Sequence, residues 1–186
     1  MDRRGRVSGG DVRVLGGEDL ANRAYLYAKK DEAFVAISEY NYDIPIAYKI
    51  LVSCKTKRVR SSIFGSPFKI ALRGNFEEGV ERLYAFLEEL KQKGLIPEAE
   101  QDEKIEETKT FLEKQRGCRF FWLEGAEIYE YGGPALFGNL KMHRRISRIG
   151  TEIANFYREL DGVKPDERMG MIGIQEWADC LYYETD

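Results

Sequence analysis

Two β-prone runs separated by a short charged segment constrain the fold of this chain more than any other feature. Residues 22–27 are aromatic and β-prone, and residues 33–40 alternate apolar with small or polar side chains. Between them, Lys29, Lys30, Asp31 and Glu32 are typical of a hairpin turn. The start of the sequence therefore predicts two strands joined as a hairpin.

Three helical patterns follow. Residues 76–93 carry an apolar stripe at helical spacing, with Asn75 as an N-cap and Gly94 as the terminating residue. Residues 98–115 predict a more polar surface helix. Residues 136–160 repeat isoleucine, phenylalanine and leucine at alternating spacings of three and four, which predicts one long helix.

Weaker patterns fill the remaining sequence. They predict a short helix over 45–53, strands over 61–63, 68–72 and 119–123, further extended segments over 127–131 and 169–174, and a last strand or short helix over 177–183. The strands and helices follow one another without a regular βαβ repeat. We therefore expect an α+β fold, with a single mixed or mainly antiparallel sheet and helices packed on one face.

Composition limits the classes of protein to which the chain can belong. Of its 186 residues, 43% are hydrophobic and 12% aromatic, which exceeds what a disordered chain contains. The three cysteines are far apart and lack C-x-x-C spacing, so we predict no disulfide framework, no metal site and no cofactor. No apolar run approaches the roughly 20 residues of a membrane span. We expect a cytoplasmic protein that does not insert into membranes.

The first 19 residues differ from the rest because they are rich in glycine and arginine. They predict a flexible N-terminal tail, and residues 20–186 predict a single α+β domain.

Charge is distributed unevenly along the chain. Residues 1–75 hold 14 Lys/Arg and 8 Asp/Glu, a local charge of +6, whereas residues 76–116 hold 7 and 12, a local charge of −5. We expect the acidic segment to suit a basic protein partner. Two basic runs, typical either of solvated surface or of phosphate contacts, are Lys55, Lys57, Arg58 and Arg60, and Lys141, His143, Arg144, Arg145 and Arg148. The net charge of −3 makes nucleic acid an unlikely partner.

One polar cluster is the best candidate for a site. It consists of Asn22, Arg23, Glu39, Asn41 and Asp43. Arg23 has the planar fork that binds carboxylates and phosphates, and Glu39 with Asp43 provides a candidate acid and base. The favoured interpretation is structural, with an ion pair from Arg23 to Glu39 or Asp43 and turn capping by Asn41 or Asp43. Trp177 is a candidate partner contact.

Three stretches together carry a resemblance. They are Ala21-Asn22-Arg23-Ala24-Tyr25-Leu26-Tyr27, the stretch 38–53 that begins Ser38-Glu39-Tyr40-Asn41-Tyr42-Asp43, and Gly74-Asn75-Phe76-Glu77-Glu78-Gly79. The chain resembles an uncharacterised bacterial domain family whose members open with Met-Ala-Asn-Arg-Ser-Tyr-Leu-Tyr. The resemblance extends over about residues 21–90 and more loosely over 120–124. It implies membership and no mechanism.

The same resemblance bears on the N-terminus. Leu20 stands where family members have their initiating methionine, and Ala24 stands where they have serine. We therefore hypothesise that residues 1–19 are an upstream extension absent from the native protein.

No nucleophile–base motif and no phosphate-binding loop is present, so we predict no catalytic residues. The leading expectation is a protein-binding module, such as an immunity or antitoxin-like protein of a bacterial conflict system. The alternatives are a small-molecule enzyme that uses Arg23, Glu39 and Asp43, and a nucleic-acid accessory factor that uses the two basic runs.

Overall fold

The hairpin at the start of the chain is present in the computed structural model, which describes residues 23–40, 43–63, 65–96, 99–128, 135–174 and 182–184. Strand β1 spans Ala24–Lys30 and β2 spans Ala33–Tyr40. The two are antiparallel, and Asp31 in the turn between them has a positive φ of 55°. Aspartate tolerates this left-handed conformation, which a tight hairpin turn requires.

Further strands and helices follow the hairpin along the chain. The strands are β3 (Lys57–Arg60), β4 (Ile70–Asn75), β5 (Phe120–Gly125) and β6 (Tyr182–Glu184). The helices are α1 (Ile46–Leu51), α2 (Phe76–Gln92), α3 (Ala99–Glu113), α4 (Ala135–Ser147), α5 (Ile149–Glu159) and α6 (Pro165–Ile172).

The strands form one sheet in the order β3-β4-β5-β1-β2-β6, and every neighbouring pair is antiparallel. β1 lies inside the sheet, where Leu26 pairs with Leu123 of β5 on one side and with Ser38 of β2 on the other. The register of β1 against β2 shifts after Leu26. An antiparallel sheet combined with helices confirms the predicted α+β class.

One face of the sheet packs against the helices. Leu26, Leu72 and Leu123 alternate with side chains of the opposite face, and all three are buried in the main core. The ring of Phe76 at the start of α2 stacks on Phe121 of β5, with 4.5 Å between ring centroids. Leu83, two turns further along α2, is also fully buried in this core. The prediction that the helices cover one face is confirmed.

The sequence pattern places strand β3 too late in the chain. The strand is the basic run 57–60, whereas residues 61–63 begin the connection to β4. Because β3 is the last strand at one edge of the sheet, three of its four residues are exposed, and it lacks the apolar alternation of an internal strand. Charged side chains on an edge strand discourage pairing with other chains.

Two predictions in the C-terminal third are also wrong. The single helix predicted over 136–160 is two helices, since Arg148 leaves the helical conformation with φ −109° and ψ 54°. Ile146, Ile149 and Ile153 keep helical spacing across this break, so the pattern does not reveal it. Residues 169–174 are mostly helical because Pro165 begins α6 and Gly173, at φ 95°, ends it.

Residues 127 and 128, predicted to be extended, lie in a turn. The predicted tail 1–19 and the segment 175–181 lie outside the described residues, although the end of the chain does supply β6. Among the helices described, none combines the length and the apolar character needed to cross a bilayer.

Candidate binding surface

The face of the sheet opposite the helices carries its own aromatic cluster. Tyr27, Phe34 and Trp122 lie there because side chains alternate between the two faces along each strand. The rings of Phe34 and Trp122 meet edge to face with their centroids 4.9 Å apart, and Tyr27 meets Phe34 at 6.0 Å. All three side chains are buried, so they support the fold and are not available for stacking.

Beside this cluster lies a fully buried carboxylate, that of Glu124. Ser66 Oγ donates to Glu124 Oε1 at 2.6 Å, Trp122 Nε1 donates to Oε2 at 3.1 Å, and the hydroxyl of Ser61 also donates to Oε2. Burial raises the pKa of Glu124, and the three hydrogen bonds oppose that rise. Since Ser61 and Ser66 belong to the β3–β4 connection, Glu124 fastens that connection onto the sheet.

Cations surround a half-buried ring on the same face, at the end where β5 begins. The guanidinium carbon of Arg73 lies 4.2 Å from the centroid of the Phe120 ring, and that of Arg119 lies 5.2 Å from it. Lys29, which is opposite Phe120 in the β1–β5 register, places its Nζ 4.4 Å from the centroid of Phe34. We call Lys29, Arg73, Arg119 and Phe120 the cation–ring site.

This site is not neutralised by the described part of the chain. No ion pair between described residues involves Lys29, Arg73 or Arg119. Lys57 of β3 is the cross-strand partner of Arg73, so two like charges lie directly opposite one another. Like charges directly opposite one another destabilise a sheet. The fold thus maintains an unfavourable concentration of positive charge here.

The structure brings the two basic runs of the sequence together. His143 Nε2 of α4 lies 3.0 Å from the carbonyl oxygen of Thr56, the residue before β3, and α4 packs against β3 and β4. Several basic side chains of these two elements and the residue after α4 are exposed, and we call them the basic edge: Lys57, Arg60, Lys141, Arg144 and Arg148. Lys57 connects this edge to the cation–ring site through its pairing with Arg73.

In the acidic helices α2 and α3, in contrast, several carboxylates have cationic partners within the chain. Arg116 donates to the carboxylates of Glu77, Glu81 and Glu113, the last two at 3.1 and 2.8 Å. Hydrogen bonds from Arg116 and from Tyr84 lower the pKa of Glu113 to about 2. Other carboxylates of the same surface also have cationic partners, among them Glu78 with Lys55, Glu89 with Lys93 and Asp102 with Lys91. These ion pairs leave the net charge of residues 76–116 at −5, but a basic partner must compete with the internal cations for the paired carboxylates.

A further ionic cluster joins three helices. Lys49 Nζ of α1 lies 3.0 Å from Glu152 Oε1 of α5, and Arg145 of α4 donates to both oxygens of Glu152 at 3.0 and 3.1 Å. The Lys49 and Glu152 side chains are only 12% and 11% exposed. Burial raises the pKa of Glu152, but the hydrogen bonds from Arg145 and Lys49 outweigh it and leave the pKa lowered. This cluster is paired internally and holds the helices together.

The predicted polar cluster is only partly assembled. Arg23 forms an ion pair with Glu39, and both side chains remain partly exposed. The charge of Asp43 instead interacts with that of Arg145. The pKa of Arg145 is raised mainly by its hydrogen bond to Glu152, and the negative charges of Glu127 and Asp43 also raise it. Asn22, Asn41 and Trp177 lie outside the described residues. The structure thus brings two of the predicted residues together as the anticipated ion pair.

Sequence reasoning missed the cation–ring site. Arg119 and Phe120 are adjacent in sequence, but Lys29 and Arg73 come from strands whose order the sequence does not reveal. In the part of the chain that is described, no three His, Cys, Asp or Glu side chains are grouped as metal ligands, and Cys54 and Cys118 are buried free thiols.

Comparison with known proteins relates most of the chain to one family of domains. The profile of a family described as a domain of unknown function, DUF7822, matches residues 24–164. No curated protein and no solved structure matches the chain. The matched range includes β1 to β5 and therefore the whole cation–ring site.

Proposed function

The chain belongs to the DUF7822 family of uncharacterised domains, and from its basic edge we propose that it is a protein-binding module for an acidic partner. The observation that carries the proposal is the contact of His143 with Thr56, which unites two basic runs far apart in sequence. Charge complementarity of this kind steers association and excludes partners of the same sign.

The distribution of ion pairs favours the basic edge over the acidic helices α2 and α3 as the binding surface. Arg116 alone engages three carboxylates of α2 and α3. No ion pair between described residues involves Lys57, Arg60 or Arg144. A charged group without an internal ion pair gives up only water when it binds a partner's carboxylate. A charged group that is already paired must also weaken its internal ion pair.

The finer proposal is that the partner is a toxin and that the chain serves as an immunity or antitoxin-like protein of a bacterial conflict system. An immunity protein acts by binding, so such a role needs a recognition surface and no catalytic centre. Its cytoplasmic location is part of the same proposal.

Co-expression with the product of the neighbouring gene tests this function. We expect the two proteins to copurify, and we expect the chain to relieve growth inhibition if that product is toxic. Reversing two charges of the basic edge, Lys57→Glu with Arg144→Glu, should abolish copurification. Failure of the unaltered chain to bind the neighbouring product or to protect the cells would contradict the proposal.

A matched pair of substitutions on the acidic helices provides the control. Lys104→Glu with Lys109→Glu makes the same change in net charge on α3, where both lysines pair with neighbouring glutamates. If the control pair disrupts the complex as much as the basic-edge pair, net charge and not the basic edge determines binding.

A further inference from the structure

We propose that the cation–ring site is the centre of the binding surface and that it takes carboxylates from an acidic segment of the partner protein. The inference rests on the proposed function and makes it specific. It assigns the main contribution to the binding free energy to Arg73, Arg119 and Phe120. The exposed residues of the basic edge supply long-range attraction.

The geometry of the ring supports this assignment. Phe120 is half-buried, with the guanidinium carbons of Arg73 and Arg119 at 4.2 and 5.2 Å from its centroid. Stacking on a ring restricts the freedom of a guanidinium while its N–H groups remain able to bind a carboxylate in a bidentate manner. Less conformational entropy is then lost on binding than with free side chains.

The electrostatics of the site point in the same direction. Lys57 and Arg73 face each other across β3 and β4, and Lys29 occupies the same face two strands away from Arg73. Bringing carboxylates to this point relieves repulsion that the fold otherwise bears. Local unfavourable pairings whose cost the rest of the fold offsets are expected at functional sites.

A carboxylate-bearing protein fits the site better than a single-stranded nucleic acid. Sequence-tolerant nucleic-acid binding uses several exposed rings on which successive bases stack. Here Tyr27, Phe34 and Trp122 are 8%, 0% and 4% exposed, so of these four described rings Phe120 is the accessible one. The remaining recognition groups are guanidinium and ammonium groups, which bind carboxylates and phosphates alike, so the small number of exposed rings is what favours the acidic protein.

Fluorescence anisotropy with the full chain tests the site directly. The probes are a fluorescein-labelled oligoglutamate peptide and a single-stranded oligothymidylate of equal negative charge. We expect the peptide to bind more tightly than the oligothymidylate. Arg119→Glu should weaken peptide binding by at least about tenfold, and Arg158→Glu, at an exposed arginine of α5, should change it by less than about twofold.

Phe120→Leu separates the site from a general basic surface because it removes the ring without changing the charge. We expect it to weaken peptide binding several-fold while thermal unfolding shows a folded protein. Arg73→Lys, which keeps the charge and loses the planar fork, should also weaken binding and serves if Phe120→Leu does not fold.

The outcomes distinguish this inference from the proposed function. If Phe120→Leu and Arg73→Lys bind the peptide as the unaltered chain does, the cation–ring site is overturned, while copurification dependent on the basic edge still supports the proposed function. Equal or tighter binding of the oligothymidylate overturns the assignment of an acidic protein. If the unaltered chain does not bind the product of the neighbouring gene, the proposed function itself is overturned.

Discussion

Gly79 of α2 lies directly against the carbonyl oxygen of Leu51, the last residue of α1. A Cβ atom built on Gly79 would be 2.2 Å from that oxygen and 3.0 Å from its carbon. Both atoms belong to the backbone, so a side-chain rotation cannot relieve the contact. The two helices are therefore held at a separation that only glycine permits.

Replacement of Gly79 by alanine should destabilise the protein. The added methyl group forces α2 away from α1, and overpacking of this kind costs about 1–3 kcal/mol. Alanine favours helix over glycine by roughly 1 kcal/mol, which offsets part of this loss. We expect a net decrease of up to about 2 kcal/mol in the free energy of unfolding, measured by urea denaturation.

Gly150 provides the control because it is also helical but has no heavy atom within 4 Å of its Cβ position apart from its chain neighbours and its own helix backbone. Gly150→Ala should leave the protein unchanged or stabilise it by up to about 1 kcal/mol. A Gly79→Ala variant that is as stable as Gly150→Ala would show that α1 and α2 can separate freely, and would contradict the packing argument.

The N-cap of α2 gives a second prediction. The side chain of Asn75 accepts a hydrogen bond from the backbone N–H of Glu78 at 2.8 Å. Asn75→Ala leaves that donor without its partner and should lower the free energy of unfolding by about 1 kcal/mol, whereas Asn75→Ser keeps an acceptor and should retain most of it. Chemical denaturation measures both variants. If they lose the same unfolding free energy, the loss does not come from the missing hydrogen-bond acceptor, and the cap makes no contribution.

The capped helix also shows what sequence reasoning can recover. The Asn75 cap, the apolar stripe of α2 and the hairpin of β1 and β2 depend on residues close in sequence, and all are confirmed. β3 is missed because an exposed edge strand has no apolar alternation. The break at Arg148 is missed because the isoleucines continue the helical spacing across it.

Contacts between residues far apart in sequence explain why the sequence predicts the Arg23–Glu39 ion pair and not the cation–ring site. The Arg23–Glu39 ion pair follows from the hairpin, since both residues belong to its two strands or directly precede them. The meeting of Arg73 with Phe120 depends on β4 pairing with β5, and the meeting of His143 with Thr56 depends on where α4 packs. Neither sheet order nor helix placement is encoded in local periodicity.

The ionic cluster of α1, α4 and α5 predicts a loss of stability in acid. Hydrogen bonds from Arg145 and Lys49 lower the pKa of Glu152 below its ordinary value of 4.5, despite burial. The unfolded chain then binds more protons than the folded one in the interval below pH 4.5, so the stabilisation is present above that interval and is lost as the pH falls through it.

Glu152→Gln isolates this contribution. The difference in unfolding free energy between the unaltered protein and the variant should decrease as the pH is lowered through this interval, by at most about 1.4 kcal/mol per pH unit. Denaturation curves at a series of pH values measure it. A difference that stays constant with pH would mean that Glu152 has the same pKa in both states.

Glu124 should show the opposite dependence. Its carboxylate is fully buried, and burial raises its pKa above 4.5 even though Ser61, Ser66 and Trp122 donate to it. The folded protein then binds more protons than the unfolded chain between the ordinary pKa and the raised one. Stability from this group is complete below the ordinary pKa and declines as the pH rises through that interval.

Glu124→Gln removes the titration and keeps an oxygen acceptor for one of the two serine hydroxyls, since Ser61 and Ser66 donate to different oxygens. The unfolding free energy of the unaltered protein relative to this variant should fall as the pH rises above about 4.5 and become constant beyond the raised pKa. Since Glu152→Gln changes in the opposite direction, the two variants measured together exclude a common effect of net charge. If the unfolding free energy relative to Glu124→Gln instead rises with pH, the three hydrogen bonds outweigh burial and lower the pKa of Glu124. The carboxylate would then be ionised while it binds the β3–β4 connection.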